Sequence, residues 1–343
     1  MRIGVLTAGG DCPGLNAVIR AVARSAIDGG DEAVGIMRGF KGLAERDYME
    51  LDMRTVSGIL PLGGTILRTS SFEPVREQAI GRLEEAIRED RLDAVIAIGG
   101  EHTMWMTREL HEHHGMPLVG VPKTIDNDVV GTDYTFGFDT AVHVVSEAID
   151  RLHTTAQSHD RIMVVEVMGR NAGWIALHGG IAGGADSIVI PEVETTPQEI
   201  ADGILRRHER GKDFSIVVVA EGARVDFGSG DAPINVSHQT DEYGYPRLGG
   251  IGPMLAEELE RITGYETRAV VLGHIQRGGT PTAHDRILAT RYGAKAYDLV
   301  KAGEFGRMAS LQGDSMTSVP LSEVDGVKTV DLELLEIAKR FFS

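Results

Sequence analysis

The sequence predicts an open α/β protein built on parallel sheet and divided into two domains, and three observations carry that reading. Short apolar runs rich in β-branched residues recur along the chain, each followed by a glycine-containing break and an amphipathic stretch. This is the pattern of βα units whose strands are covered on both faces. Glycine is abundant, at 43 of 343 residues, and supplies many backbone turns. The length exceeds that at which a single core usually keeps growing, and 42% apolar residues are ample to fill two.

Strands are expected at 3–6, 94–98, 118–121, 162–167, 187–190, 216–219 and 269–272. Helices are expected at 15–27, 75–89, 140–155, 197–210 and 254–263, several with Asp, Glu or Thr near the start and Gly near the stop. The stretch 225–252, polar and rich in glycine, reads as a surface excursion rather than a domain linker.

Composition narrows the partners. With 34 basic and 51 acidic residues the formal charge is −17, which opposes nonspecific attraction to nucleic acid or anionic lipid. A local basic pocket for a phosphorylated small molecule is compatible with that balance. The single cysteine, Cys12, excludes an intramolecular disulfide framework and points to a reducing compartment. The first apolar run is too short for a signal sequence or a membrane span. A soluble cytoplasmic protein is expected, with neither nucleic acid nor membrane as partner.

Ligands of open parallel sheets collect beyond the carboxyl ends of the strands, so the loops there carry the chemistry. The first is Gly9-Gly10-Asp11-Cys12-Pro13-Gly14, leading into a helix, either a phosphate cradle or a tight turn. The second is Gly99-Gly100-Glu101-His102-Thr103, in which Glu101 could hold Mg²⁺ or simply stabilise a helix start. The third is Pro122-Lys123-Thr124-Ile125-Asp126-Asn127-Asp128. Its paired carboxylates could deprotonate an alcohol and coordinate Mg²⁺ while Lys123 neutralises a phosphate. The bland alternative is a structural Asx turn. A fourth set joins Arg161, Met168-Gly169-Arg170, Ala220-Glu221-Gly222, Arg268 and the run from Gly273 through His274 and Arg277 to Gly279. Arginine forks match phosphate oxygens, and Glu and His match sugar hydroxyls, so jointly these residues describe a sugar-phosphate pocket.

Together TAGGDCPGLNAVI (7–19), VPKTIDND (121–128), VVEVMGR (164–170), AEG (220–222) and LGHIQRGGTPT (272–282) closely resemble the 6-phosphofructokinase family, particularly its actinobacterial-type branch. The likeness runs from the first strand to about Leu311. It implies two doubly wound three-layer α/β/α domains with an interleaved chain. Residues 1–138 plus about 276–326 would bind the phosphoryl donor, and 139–275 plus about 327–343 the sugar phosphate. The implied reaction is Mg²⁺-dependent phosphoryl transfer to O1 of fructose 6-phosphate, a glycolytic step, with ATP favoured as donor and pyrophosphate the alternative.

Carried over by motif, Asp126 would be the general base, Asp128 its support and, with Glu101, a metal ligand, and Thr124 would orient the acceptor. Arg170 would bridge donor and transferring phosphate. Met168, Gly169 and Glu221 would hold the sugar, and Arg161, Arg268, His274 and Arg277 its 6-phosphate. Arg161 and Arg268 would come from a neighbouring subunit of a homotetramer or homodimer with shared active sites. Gly10, Ser71, Phe72, Gly100, His102, Thr103 and Lys123 would line the donor site.

The donor side departs from the family pattern. In 63–71, Arg68 stands where the family has glycine and Ser71 where it has an arginine, so one donor-side cation is missing or displaced unless Arg68 or Arg76 replaces it. His102 occupies a position where glycine leaves room for ATP and aspartate favours pyrophosphate. A noncatalytic sugar-phosphate-binding regulatory paralogue is therefore a further alternative. His111, His113 and His114 read as a solvated helix end, and Trp105 and Trp174 as packing residues.

Overall fold

A computed structural model describes residues 1–228 and 249–342, so most of the excursion expected over 225–252 lies outside the described residues. In chain order the elements are β1 (Arg2–Thr7), α1 (Leu15–Asp28), β2 (Glu32–Ile36), α2 (Phe40–Glu45), β3 (Tyr48–Glu50), α3 (Ile80–Glu89), β4 (Ala94–Gly99), α4 (Glu101–His114), β5 (Leu118–Thr124), β6 (Phe136–Gly137), α5 (Phe138–His159) and β7 (Ile162–Val167). They continue as α6 (Trp174–Ala182), β8 (Ser187–Val189), α7 (Pro197–Glu209), β9 (Ser215–Ala220), α8 (Ile251–Thr263), β10 (Thr267–Val271), α9 (Ala283–Ala302), β11 (Arg307–Gln312), β12 (Ser315–Pro320) and α10 (Leu332–Lys339). No helix among the described residues is long and apolar enough to cross a membrane.

The chain divides into two units. The first takes Met1–Thr140 and Arg277–Val327, and the second Ala141–Gln276 and Lys328–Ser343. In the first unit the strand order is β12-β11-β5-β4-β1-β2-β3, with β6 beside β5. The centre is parallel, while β3 and β12 close the two edges as antiparallel strands. β4 and β5 are buried at every residue, which explains the apolar runs Ala94–Ile98 and Leu118–Val121 within them. α1 lies against α9 at Gly293, where a Cβ would stand 2.7 Å from the Val18 carbonyl.

The second unit carries a wholly parallel sheet, β10-β7-β9-β8. α7 starts with a capping box in which Thr196 accepts from Glu199 N–H, the Glu199 carboxylate returns to Thr196 N–H, and Pro197 opens the helix.

Several boundaries differ from expectation: α5 begins two residues earlier and ends four later, α8 begins three earlier, and β5 runs on to Thr124. The helix expected over 75–89 begins only at Ile80, because Gln78 adopts φ 50° in the left-handed region and breaks the preceding turn.

Candidate active site

In the first unit the chemical residues cluster at the carboxyl ends of β1, β4 and β5. After β1, Gly10 lies close under a cation: a Cβ there would stand 2.8 Å from a guanidinium nitrogen of Arg277. The Arg277 guanidinium donates to the Asp11 carbonyl at 3.2 Å, and the buried Lys123 ammonium donates to the Gly10 carbonyl. Two cations therefore converge on the glycine loop. Burial pushes the Lys123 ammonium below its ordinary value and the Cys12 thiol well above its own. Cys12 is thus an inert packing group that donates to the Phe136 carbonyl at 3.6 Å.

The 62–72 segment is tied to this loop. Asn16 donates to the carbonyls of Leu62 and Gly63 at 3.0 and 3.2 Å and accepts from Ile66 N–H at 2.8 Å. Thr7 donates to the Arg68 carbonyl at 2.7 Å, and Thr69 to the Gly9 carbonyl at 2.5 Å. Arg68 is exposed and sits at φ 58°, a left-handed conformation that glycine adopts without strain. Half-buried Ser71 is followed by Phe72, which packs into the hydrophobic core with Leu6 and Phe40. Arg76 is exposed.

After β4, Gly100 is the N-cap of α4 and Glu101 its first-turn acid. Thr103 is buried, with its side chain so close to Gly99 that a Cβ there would fall 2.2 Å from its hydroxyl. It locks α4 onto β4. His102 stacks on Trp105, with ring centroids 5.3 Å apart, and its Nε2 lies 3.8 Å from the Glu73 carboxylate. At the far end of α4, His111 meets the Met116 carbonyl, His113 meets Glu109 and His114 meets Glu84.

After β5 the backbone reverses at Asn127, which is fully buried at φ 51°. Its amide donates to the Asp133 carbonyl at 3.3 Å and accepts from Thr135 N–H at 3.0 Å. Asp126 N–H donates to the Thr124 hydroxyl at 3.0 Å. The turn leaves Asp126 and Asp128 half-buried and close together. Burial, then the Asp126 charge, raises the Asp128 carboxyl above its ordinary range, and Glu101 adds to the effect. Among the described residues no group of three or more His, Cys, Asp or Glu side chains forms a cation site. The adjacent acids Glu101 and Asp128 are nevertheless hard oxygen donors suited to an ion that keeps several waters.

In the second unit, Met168, Gly169, Arg170 and Glu221 gather at the carboxyl ends of β7 and β9. Gly222 joins the two loops: its N–H donates to the Gly169 carbonyl at 3.1 Å, and a Cβ on it would lie 1.9 Å from the Arg170 carbonyl oxygen. His274 lies in the 3₁₀ turn Gly273–Arg277, beyond the same end of β10. Arg161 and Arg268 are elsewhere. Arg161 precedes β7 and Arg268 is the second residue of β10, at the opposite end of the sheet, roughly 20 Å away along β7 at about 3.3 Å per residue. Both pair with Glu266. The four arginines are thus not one pocket within a single chain.

Three supporting residues stand behind the site, of which the sequence offered a role only for Asn127, as part of a structural Asx turn. Asn127 shapes the acidic turn. Gln276, fully buried, accepts from Met168 N–H at 3.3 Å. Glu166, 2% exposed, accepts from Gly250 N–H at 3.1 Å and Gly252 N–H at 2.7 Å, holding the start of α8 against β7. The signal for each was a polar residue inside an otherwise apolar or charged motif, where burial demands partners.

Comparison with known proteins places this arrangement. A family model described as Phosphofructokinase matches residues 2–300. The chain is 52% identical over 337 residues to ATP-dependent 6-phosphofructokinase 3 of Streptomyces coelicolor, covering 96% of each. It is 51% identical over 346 residues to the pyrophosphate–fructose 6-phosphate 1-phosphotransferase of Amycolatopsis mediterranei, covering 100% of both. Among solved structures it matches Pichia pastoris phosphofructokinase in the T-state with a TM-score of 0.81 and 32% identity, over 94% of this chain and 35% of that one. With most of its length matched by the family model and relatives at half identity end to end, the chain belongs to the phosphofructokinase family.

Proposed function

We propose that this protein is a Mg²⁺-dependent 6-phosphofructokinase that transfers a phosphoryl group from ATP to O1 of fructose 6-phosphate, yielding fructose 1,6-bisphosphate. The observation that carries the reading is the Asn127-centred turn, which holds two half-buried carboxylates beside a buried lysine. Phosphoryl transfer needs positioning, charge neutralisation and one base, and that turn offers all three. Asp126 receives the O1 proton, Asp128 supports it from the same turn, and Thr124 orients the hydroxyl. Lys123 faces the donor phosphates across the glycine loop, lined by Gly10, Gly100, His102 and Thr103, with Ser71 and Phe72 alongside. Arg170 neutralises the transferring phosphate, while Met168, Gly169 and Glu221 hold the sugar.

His274 and Arg277 take the 6-phosphate. Arg161 and Arg268 serve a neighbouring copy, a reading supported by their distance from Arg170 along the strand, so the active form is a homotetramer or homodimer. Glu101 and Asp128 would hold Mg²⁺ through oxygen, which supplies neutralisation of the donor phosphates. The buried single thiol of Cys12 suits a cytoplasmic setting.

Pyrophosphate as donor is the second reading, favoured by the His102 ring stacked on Trp105 and by the absence of an arginine at Ser71. A coupled assay with fructose 6-phosphate and Mg²⁺, offering ATP and pyrophosphate in turn, tests both. ATP-dependent product formation is expected. Product from pyrophosphate alone establishes the second reading, and binding of sugar phosphate without product from either donor replaces both with a regulatory role.

A further inference from the structure

The loop that carries Arg170 is fixed from two directions. On its amino-terminal side, Met168 N–H bonds the Gln276 side chain and the Gly169 carbonyl accepts from Gly222 N–H. On its carboxyl-terminal side the anchors come from the end of the chain. The Trp174 indole N–H donates to the Lys328 carbonyl at 2.8 Å, and the Lys328 ammonium lies 5.2 Å over the Trp174 ring. The Glu192 carboxylate accepts from Gly173 N–H at 3.0 Å and from Val330 N–H at 3.1 Å, so one side chain clamps loop and chain end together.

The joint has no slack. A Cβ on Gly173 would lie 2.4 Å from the Ile190 side chain and 2.9 Å from Glu192. The chain end is itself secured, because Val330 is buried, Asp331 accepts from Glu333 N–H at the start of α10, and α10 buries Leu335 and Ala338.

We propose that residues 328–330 form a strap that holds the Arg170 loop in place, with Glu192 as the positioning residue that joins the two. The proposal rests on the reading of Arg170 as a catalytic group. A few hydrogen bonds are small beside the stability of a domain, but a group that meets a transferring phosphate loses effect steeply when displaced by about 1 Å.

The test compares the full-length protein with Glu192→Ala, Glu192→Gln and Lys328→Ala. Hydrogen exchange is read in peptides covering 168–173, and kcat and KM for fructose 6-phosphate with the better donor. Trp174 emission is read in a Trp105→Phe background, where it is the only tryptophan. Glu192→Ala is expected to speed exchange in 168–173 about tenfold. It should also shift Trp174 emission to the red and lower kcat about tenfold with KM within about twofold. Glu192→Gln, which keeps an acceptor oxygen, should fall between, and Lys328→Ala should shift emission with a smaller loss of kcat.

Unchanged exchange and emission overturn the strap, and so does a loosened loop that leaves kcat at the unaltered value. Should Glu192→Ala fail to fold, Glu192→Gln and Lys328→Ala carry the same comparison. If the unaltered protein makes no product, the proposed reaction fails, while exchange and emission still decide whether the strap holds the loop.

Discussion

Asn127 illustrates how a single uncharged residue places two charged ones. Left-handed backbone costs most side chains roughly 1–2 kcal/mol, and Asn is among the few that tolerate it because its amide bonds locally. Here that amide satisfies both the Asp133 carbonyl and Thr135 N–H. The acidic pair Asp126 and Asp128 was visible in the sequence because charge types are explicit there, and an Asx turn was one reading of the stretch; that Asn127 carries the left-handed φ was not, since φ is not written in residue types. Asp126→Asn should lower kcat by about 10²–10⁴ while KM for fructose 6-phosphate moves little, read by steady-state kinetics. Turnover at the unaltered rate would remove Asp126 as base. Arg68, odd in the sequence, is explained in part by its φ of 58°. Arg68→Gly should leave the melting midpoint level or slightly higher, whereas Arg68→Val should cost about 1–2 kcal/mol in denaturant unfolding. At His102, substitution by Gly removes the ring stacked on Trp105. KM for ATP should fall several-fold if that ring fills donor space, with about 1 kcal/mol of stability lost from the helix start. An unchanged KM would discard the steric argument.

At the level of elements, strands buried on both faces announce themselves and edge strands do not. β4 and β9 appear in the sequence almost wholly, and β1, β5 and β7 over most of their length, as apolar runs because few of their residues face water. β3 is three residues long, and β12 is only partly buried, so neither produces such a run. α9 escaped notice for the opposite reason: it packs against α1 and against β5 and β11, which leaves no single apolar stripe. The contact between loops was equally hidden, although its agent is a glycine that the motif displays. Gly222 allows the loops after β7 and β9 to touch, with the Arg170 carbonyl where a Cβ would be. Gly222→Ala should therefore push the Arg170 loop away, lowering kcat about a hundredfold, with a melting midpoint that falls far less than the activity. Equal and modest losses of both would indicate that the loops tolerate separation.

Across the whole molecule, sequence order says little about which end of a sheet a residue occupies. Arg161 and Arg170 are near neighbours in sequence yet flank opposite ends of β7, and this is why four arginines that suggest one pocket on paper separate in the fold. The same long-range logic governs stability, since the first unit is assembled from both halves of the chain. Asp31, just after α1, has a side chain only 5% exposed and accepts from Lys301 Nζ and from the Tyr297 hydroxyl, both at 2.9 Å, joining segments 270 and 266 residues apart. The Lys301 ammonium, chiefly, holds this carboxyl down at about 2. Because the folded value lies below the unfolded one near 4, the stabilisation is complete above pH 4 and fades as pH falls through about 2. Lys301 is 42% exposed, so solvent screens the pair and about 0.5–1 kcal/mol is the scale to expect. Asp31→Asn should lower the unfolding free energy by that amount at pH 7, measured by denaturant melts. The gap to the unaltered protein should narrow below pH 4 and close near pH 2, whereas a gap that stayed constant with pH would assign the effect to shape rather than charge.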